Sequence, residues 1–272
     1  MIEATPAQPT QTGLVPPRAL RQRLITLGIT LALLALLGYA WHDTGASISA
    51  LVHGLGNTFR LIRRAMPPQI TGVLRPAISA SILTFNTAFL ATAGALVFSL
   101  LLTPLAARNI SPHRIVYELA RLVLGILRAV PEFVFALIFL VAVGINAYSI
   151  VLAIGVHTIG VLGKLFAEAV EDMDMGPVDA LRASGAGRTQ VFVHAIVPAM
   201  LASFTALSLY RLDTNVRAAL YLGAFGGGGL GFLLYQSLEL FQYHAAATQI
   251  IVLLVLLLLV ERISSLLRRR IL

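Results

Sequence analysis

Long apolar stretches alternate with short polar ones along most of the chain, a pattern typical of membrane-spanning helices. A run of about 20 apolar residues is long enough for a helix to cross the hydrocarbon core of a bilayer. Six such spans are predicted, over residues 24–41, 77–107, 115–143, 148–170, 190–209 and 249–267. The pattern therefore predicts an all-α fold, that of a polytopic membrane protein with about six transmembrane helices.

The longest polar interruption between these spans covers residues 168–198. Pro177 suits the first position of a helix, and the acidic residues around it favour a helix N-terminus. Gly185 and the glycine two residues later tolerate the left-handed conformation that ends a helix. The sequence thus predicts a short helix over 177–184, a sharp stop, and a new helix that begins near Arg188.

The first 76 residues have a less regular pattern. Residues 1–23 begin with many Pro, Thr and Gln residues, which predicts a disordered cytoplasmic tail ahead of a transmembrane domain over 24–272. Residues 42–76 mix glycines, prolines and four arginines, as expected for an interfacial amphipathic segment. This basic loop would lie outside, against the positive-inside tendency. Contact with membrane lipid headgroups is the favoured explanation, and attraction of an anion is the alternative.

Composition supports a membrane protein and excludes other classes. Hydrophobic residues make up 58% of the chain and charged residues 12%, whereas about one quarter of a soluble domain is charged. The chain has no cysteine, which excludes disulfides and Cys-type metal clusters. The net charge of +8 fits cytoplasmic loops better than nucleic-acid binding, because the basic stretches at 108–114, 182–188 and 268–270 fall where six crossings put the cytoplasm. We therefore expect both termini in the cytoplasm and no nucleic-acid partner.

Charged residues within or beside the spans are the candidates for function, because each costs a few kcal/mol to insert and usually faces a partner or a water-filled cavity. The residues concerned are Arg128, Glu132, Lys164, Glu168, Arg211, Asp213 and Arg217. Arg128 and Glu132 are four residues apart, as are Lys164 and Glu168, which predicts that each pair shares a helix face. Two interpretations stay open. The pairs either neutralise themselves and tie helices together, or the cations line a path for an anionic solute that the acids keep weakly bound.

Other motifs predict little chemistry. The glycine-rich segment 226–231 could form an anion-binding nest, but it lacks the Lys-Ser/Thr of a P-loop, so nucleotide binding is excluded. A turn packed beneath a substrate-delivering protein, or one that lets helices approach, is favoured. The six histidines show no metal spacing, and His157 and His194 are interpreted as packing residues. Without a nucleophile and base in a suitable arrangement, the chain is expected to be no enzyme and to hold no cofactor.

The polar interruption carries a family resemblance. Asp179-Ala180-Leu181, then Gly185, then Ala195-Ile196-Val197-Pro198 resemble the coupling loop of ABC importer permeases. Asp179 stands for the usual glutamate, Leu181 for the second alanine and Ala195 for the usual isoleucine. In that family the short helix sits in a groove on the ATP-binding subunit and transmits its closure. The resemblance implies that 171–198 is a cytoplasmic coupling loop whose ATPase-coupling residues are Asp179, Ala180, Leu181, Gly185 and Pro198.

Four further phrases are similar to phosphonate-type permease subunits of ABC importers. They lie at 128–132, 157–168, 215–218 and 227–232, so that the resemblance covers about residues 115 to 270. It implies the type I permease fold, a homodimer in the cell inner membrane, two ATP-binding subunits inside that hold ATP and Mg²⁺, and an extracellular solute-binding protein. The implied solute is phosphonate, with phosphite, phosphate or another small oxyanion as alternatives. The substrate-pathway candidates are Arg128, Glu132, Lys164, Arg211, Asp213 and Arg217.

Two other classes stay open. A secondary transporter would place ionisable residues near the membrane midplane on broken helices and would need no ATPase. A membrane anchor for an assembly would bind partners without moving a solute.

Overall fold

The computed structural model describes residues 20–271, and all regular secondary structure in this range is helical. The helices are α1 (Leu20–Asp43), α2 (Ile48–Ala65), α3 (Leu74–Ala106), α4 (Arg114–Ala129), α5 (Glu132–Val143), α6 (Ala147–Glu171), α7 (Gly176–Ala183), α8 (Arg188–Val191), a π-helix (Phe192–Ile196), α9 (Val197–Leu222), a second π-helix (Gly223–Gly227), α10 (Gly229–Glu239) and α11 (Tyr243–Ile271). Most of the predicted disordered tail lies outside the described residues. Contacts divide the chain into two units, residues 1–60 and 61–272.

The first unit contains α1 and most of α2. The segment Gln22–Asp43 is long and apolar enough to cross a membrane, and its side chains are exposed. In α2, Ile48, Leu51, Leu55 and Phe59 recur at helical spacing, which gives the helix one apolar face opposite its polar residues. An amphipathic helix thus forms inside the predicted interfacial segment, whose place at the membrane surface stays a prediction.

The prediction of about six spans is confirmed. Five helical segments of the described chain are long and apolar enough to cross a membrane: Gln22–Asp43, Leu74–Ala106, Ala147–Glu171, Arg188–Gly227 and Tyr243–Arg270. The pair α4 and α5 makes a sixth if both belong to one span, although their axes are bent by 86°.

This bend lies at Pro131, within the predicted span 115–143. Proline lacks an N–H and disfavours helical geometry in the residue before it, and Val130 is accordingly extended, with ψ 121°. Helix α4 ends and α5 starts at Glu132. The break is sharper than a kink, and it places Arg128 and Glu132 on different helices. The prediction that this pair shares a helix face is therefore wrong.

The fifth span is longer than predicted. The expected helix ended at Leu209, with Arg211, Asp213 and Arg217 in a connecting segment, but α9 continues to Leu222. The polar side chains that suggested an exit from the membrane find partners inside the protein, so the helix can continue. Pro198 interrupts the hydrogen bonding of this span, because it has no N–H to donate to the carbonyl one turn earlier. The residues just before it form a π-helix instead of a regular α-helix.

Two apolar clusters form the core of the second unit. One joins α4, α6, α7 and α9 and includes Leu124, Phe166, Val178 and Ile196. The other joins α3, α5, α6 and α9, with small residues such as Ala91 on α3. Small side chains let membrane helices approach closely. Helix α6 contributes to both clusters and therefore connects the two ends of the unit.

Candidate functional site

The polar interruption folds as a short helix between two sharp changes of direction. The N–H of Gly176 donates to Asp174 Oδ1 at 3.1 Å, and Pro177 lies in the first turn of α7. The helix ends at Gly185, whose φ of +84° is favourable for glycine and strained for other residues. The N–H of Ala186 closes the end by donating to the carbonyl of Leu181 at 3.1 Å. The predicted helix, stop and second helix are confirmed.

Helix α7 has one buried face and one exposed face. Val178 is fully buried, and Leu181 packs against the same apolar cluster. Ala180 is exposed, and the Asp179 side chain is 68% exposed. Of the predicted ATPase-coupling residues, Asp179, Ala180 and Gly185 therefore lie on the surface, whereas Leu181 lies on the face that packs against the cluster. Pro198 lies outside α7 and shapes the start of α9.

A group of polar contacts, here called the clamp, fixes the end of α6 next to α7. It consists of Ala106, Arg108, Asn109, Arg121 and Glu171. Glu171 accepts the backbone N–H of Arg108 at 2.7 Å and pairs with an Arg121 terminal nitrogen at 2.7 Å. Arg121 Nε donates to the Ala106 carbonyl at 2.7 Å. The clamp ties the turn between α3 and α4 to the last residue of α6, and four residues separate that residue from the start of α7.

Asn109 extends these contacts on both sides. Its side-chain amide donates to the carbonyl of Val170 at 2.8 Å. The backbone carbonyl of Asn109 accepts a hydrogen bond from the Arg182 guanidinium of α7 at 3.4 Å. The turn between α3 and α4 therefore touches both α6 and the exposed helix.

Lys164 belongs to the same end of the molecule. Its Nζ lies 3.5 Å from Glu168 Oε1, which confirms that this pair shares a helix face. The same carboxylate oxygen lies 3.5 Å from Arg121 Nη1. The Lys164 charge is therefore neutralised beside the clamp, in agreement with the interpretation that such pairs neutralise themselves and tie helices together. The place of Lys164 in a substrate path stays a prediction.

A second set of polar residues, here called the polar chain, connects α3, α6 and α9 near the middle of α6. Asn215 Nδ2 donates to Thr92 Oγ1 at 2.8 Å, and Thr158 Oγ1 donates to Asn215 Oδ1 at 3.2 Å. Arg211 Nε then donates to Thr158 Oγ1 at 3.4 Å. Thr92, Thr158 and Asn215 are buried. Because buried polar groups need partners, the polar chain determines which side of α9 faces α3 and α6, and Arg211 lies on that side.

Arg211 also meets Glu132 from the other side of the bend. An Arg211 terminal nitrogen lies 3.8 Å from Glu132 Oε2, with side chains 14% and 22% exposed. The Tyr221 hydroxyl donates to the other oxygen of the Glu132 carboxylate. Two predicted pathway residues are thus brought together, although the sequence pattern had paired Glu132 with Arg128 instead.

The remaining pathway candidates are more peripheral. Asp213 and Arg217 pair at 3.0 Å, one helical turn apart, with Asp213 14% and Arg217 52% exposed. Arg128 is exposed and forms no ion pair with the residues described. Its backbone is tightly packed, because a Cβ on Gly160 of α6 would lie 2.6 Å from the Arg128 nitrogen. His157 Nδ1 lies 3.1 Å from the carbonyl of Val130, in keeping with its interpretation as a packing residue.

The glycine-rich turn serves helix packing. Gly227 is buried against Ile150 of α6. The N–H of Leu230 donates to Thr84 Oγ1 of α3 at 2.9 Å. These contacts agree with the expectation of a turn that lets helices approach, rather than with an anion nest. Within residues 20–271, no group of three or more acidic or histidine side chains could hold a metal ion.

Sequence reasoning missed the residues that hold the charged ones in place. These are Thr92, Arg121, Thr158, Asn215 and Tyr221. Arg121 was visible as a charge inside a predicted span and carried the same signal as the chosen candidates. Threonines within apolar helices carry no such signal, because they often bond only to their own helix.

Comparison with known proteins identifies relatives over most of the chain. Residues 95–272 match the family model described as binding-protein-dependent transport system inner membrane component. A phosphite transport system permease protein of Stutzerimonas stutzeri is 38% identical over 276 residues, which is 98% of this chain and 97% of the relative. A phosphate-import permease protein of Mycolicibacterium smegmatis is 37% identical over 224 residues, which is 82% of this chain and 42% of the relative.

Among solved structures, an inward-facing form of the MetNI methionine ABC transporter superposes with a TM-score of 0.64. The match covers 75% of this chain and 98% of that chain at 21% identity. A likeness at this identity concerns the fold.

Proposed function

Because the chain belongs to the family of binding-protein-dependent transport system inner membrane components, we propose that it is the membrane-spanning subunit of an ATP-driven importer for phosphonate or a related small oxyanion. Two copies of the chain would form the pathway. Two ATP-binding subunits, which hold ATP and Mg²⁺, would dock on the cytoplasmic side, and a solute-binding protein would deliver the anion from outside.

The observation that carries this proposal is the two-faced helix α7. Asp179 and Ala180 are exposed to a partner, while Val178 on the opposite face is fully buried in the core. A push on the exposed face must therefore move Val178 and the cluster around Phe166, because packed interiors resist compression. The clamp adds a polar connection to the same elements. This is the construction expected where movement of an ATPase reaches the membrane helices.

Arg211 and the polar chain support an anionic cargo. Phosphonate, phosphite and phosphate all present negatively charged oxygens, which guanidinium groups bind through charge-assisted hydrogen bonds. Relatives are named for phosphite and phosphate, and the sequence resemblance favoured phosphonate. In our proposal Arg211 is the principal cation of the pathway, and the more exposed Arg128 and Arg217 lie along the approach. Lys164 contributes less, because Glu168 already neutralises it.

The orientation follows from the docking partner. With α7 facing the ATP-binding subunit, the turn between α3 and α4 also lies in the cytoplasm, in agreement with its basic residues at 108–114. The basic end at 268–270 would lie there as well. Because six crossings return the chain to the same side, the N-terminus would then also be cytoplasmic.

Purification of the tagged chain from its native membrane tests the proposal. We expect two chains with two ATP-binding subunits, and ATP-dependent uptake of methylphosphonate, phosphite or phosphate after reconstitution with the delivering protein. A single chain that transports without an ATPase would replace the proposal with a secondary transporter. Partners without solute flux would replace it with a membrane anchor.

A further inference from the structure

We propose that Glu132 competes with the transported anion for Arg211. The Glu132 carboxylate pairs with Arg211 until the anion displaces it, and this displacement releases the start of α5. The inference rests on the proposed function, because it concerns how that same pathway is regulated. The contact between Glu132 and Arg211 joins the two sides of the sharp bend.

On one side of the bend, α5 depends on a single polar side chain. Glu132 is the first residue of the helix, and every other residue in Glu132–Val143, all of it described, is apolar. Ala136 and Leu140 pack in the core further along α5. The start of the helix is joined to α9 through the Glu132 carboxylate, which meets Arg211 and Tyr221.

On the other side, Arg211 is fixed independently of Glu132. Its Nε donates to Thr158 of α6 at 3.4 Å, and Thr158 is bonded in turn to Asn215. The guanidinium thus stays with α6 and α9 when its terminal nitrogens change partner. The two ends of the contact belong to separately supported elements, so that one end can be released while the other stays in place.

An entering oxyanion would bind the Arg211 guanidinium, with which Glu132 is already paired. The terminal N–H groups of a guanidinium form a planar fork that suits carboxylates and phosphorus oxyanions alike. Both anions cannot hold the same N–H groups, and a buried carboxylate without a cation is strongly destabilised. In this proposal the solute takes the terminal nitrogen of Arg211 that faces Glu132, and the start of α5 then moves so that Glu132 reaches water or another partner. When the solute leaves, Glu132 returns and excludes it.

The test is Glu132→Gln in the complete transporter, with methylphosphonate, phosphite and phosphate as probes. Glutamine keeps the size of the side chain and an acceptor for Tyr221 but removes the competing charge. In the absence of the delivering protein, direct binding of the transported probe should become about tenfold tighter, which corresponds to about 1.4 kcal/mol, because the charge that competes for Arg211 is removed. Maximal ATP-driven uptake should fall severalfold, because the anion leaves more slowly.

The matched control is Glu118→Gln on α4. This carboxylate also pairs with an arginine, Arg114 at 3.9 Å, but its side chain is 61% exposed and lies outside the pathway. Binding and uptake should equal those of the wild type. A double variant sharpens the comparison, since Glu132→Gln should change binding little once Arg211→Gln is present, as expected for residues that act through each other.

The outcomes separate this inference from the proposed function. If wild-type protein transports an oxyanion and Glu132→Gln binds it no more tightly, Glu132 is a structural partner and the inference is overturned. If wild-type protein transports none of the probes, the proposed function itself fails. Should Glu132→Gln not assemble, Glu132→Asp replaces it: its carboxylate is one methylene further from Arg211, so binding should again tighten, and unchanged binding in assembled protein would overturn the inference.

Discussion

The clamp and the polar chain both gather charged and polar residues around α6, but they are built differently. In the clamp, Glu171 and Arg121 make contacts of 2.7 Å with each other and with backbone groups. Between Arg211 and its partners Thr158 and Glu132 the separations are 3.4 and 3.8 Å, and all groups involved are side chains. The clamp thus has shorter contacts, two of which reach the backbone. In our proposal the clamp transmits movement, and the contacts of Arg211 yield to a solute.

The two regions are also separated in space. Thr158 and Glu171 are thirteen residues apart on one continuous helix, or about 20 Å at 1.5 Å per residue. Helix α6 is therefore the physical connection between them. Variants that change one region alone can show whether the two roles are distinct.

The largest effect is expected for Arg211→Gln. Loss of the pathway cation should lower oxyanion uptake by up to about a hundredfold, since a hydrogen bond between the guanidinium and a charged solute contributes about 1.5–3 kcal/mol. Uptake by the reconstituted complex measures it, and co-purification of the ATP-binding subunits checks assembly. Arg128→Gln, at an exposed position, should reduce uptake less. Normal uptake kinetics in both variants would return these arginines to structural roles.

Gly185→Val should uncouple the transporter. A β-branched residue at φ +84° is strained by about 1–3 kcal/mol, so the end of α7 shifts and ATP-driven uptake should fall by about tenfold while ATP hydrolysis continues. The ratio of solute moved to ATP hydrolysed is the measurement. Gly72→Val is the control, because Gly72 has a similar φ of +79° in an open turn far along the chain from α7. Equal coupling in the two variants would count against a docking role for α7.

Arg121→Ala should weaken the clamp. The substitution removes contacts to Glu171, Glu168 and the Ala106 carbonyl, and leaves Glu171 with only the backbone N–H that it already accepts. We expect a severalfold lower coupling ratio and a lower thermal midpoint, with oxyanion binding unchanged because the polar chain is intact. Arg114→Ala, whose side chain is 90% exposed, should have no effect. Altered oxyanion binding in Arg121→Ala would show that the regions are not separate.

Gly160→Ala should have the smallest effect on transport and a clear effect on stability. The added methyl would lie 2.6 Å from the Arg128 nitrogen and 2.8 Å from the Leu127 carbonyl carbon, so that α4 and α6 must separate. Overpacking of this kind costs about 1–3 kcal/mol, which a thermal unfolding scan of the detergent-solubilised complex measures. Gly125→Ala on α4 is the matched control, with no atom near the new methyl. Equal midpoints would mean that the contact is easily relieved.

Much of the architecture was predictable from the sequence. The apolar runs predicted the spans, and the prolines and glycines predicted where α7 begins and ends. The resemblance to ABC importer permeases is confirmed by the family match and the similar fold. The extent of the fifth span was predicted wrongly, because the arginines at 211 and 217 lower the hydropathy of a segment that is nevertheless helical.

The site was predicted only in part. Lys164 and Glu168 pair as their spacing indicated, because both lie on one uninterrupted helix. The same rule failed for Glu132, since the bend at Pro131 removed its partner and turned it toward Arg211. Leu181 was predicted to couple the helix to the ATPase, and the structure adds that its side chain packs against the apolar cluster; the direction of a side chain on a short helix depends on what lies beneath it.

The sequence by itself determined which stretches are helical and membrane-spanning, where they are interrupted, and to which family the chain belongs, because hydropathy, proline and glycine act locally. Only the tertiary structure decided that Glu132 faces Arg211, that Thr92, Thr158 and Asn215 form one hydrogen-bonded chain, and that α7 has a buried and an exposed face. These arrangements join residues up to 123 positions apart. They depend on how helices pack and on how far the chain bends at Pro131, and no local sequence pattern determines either.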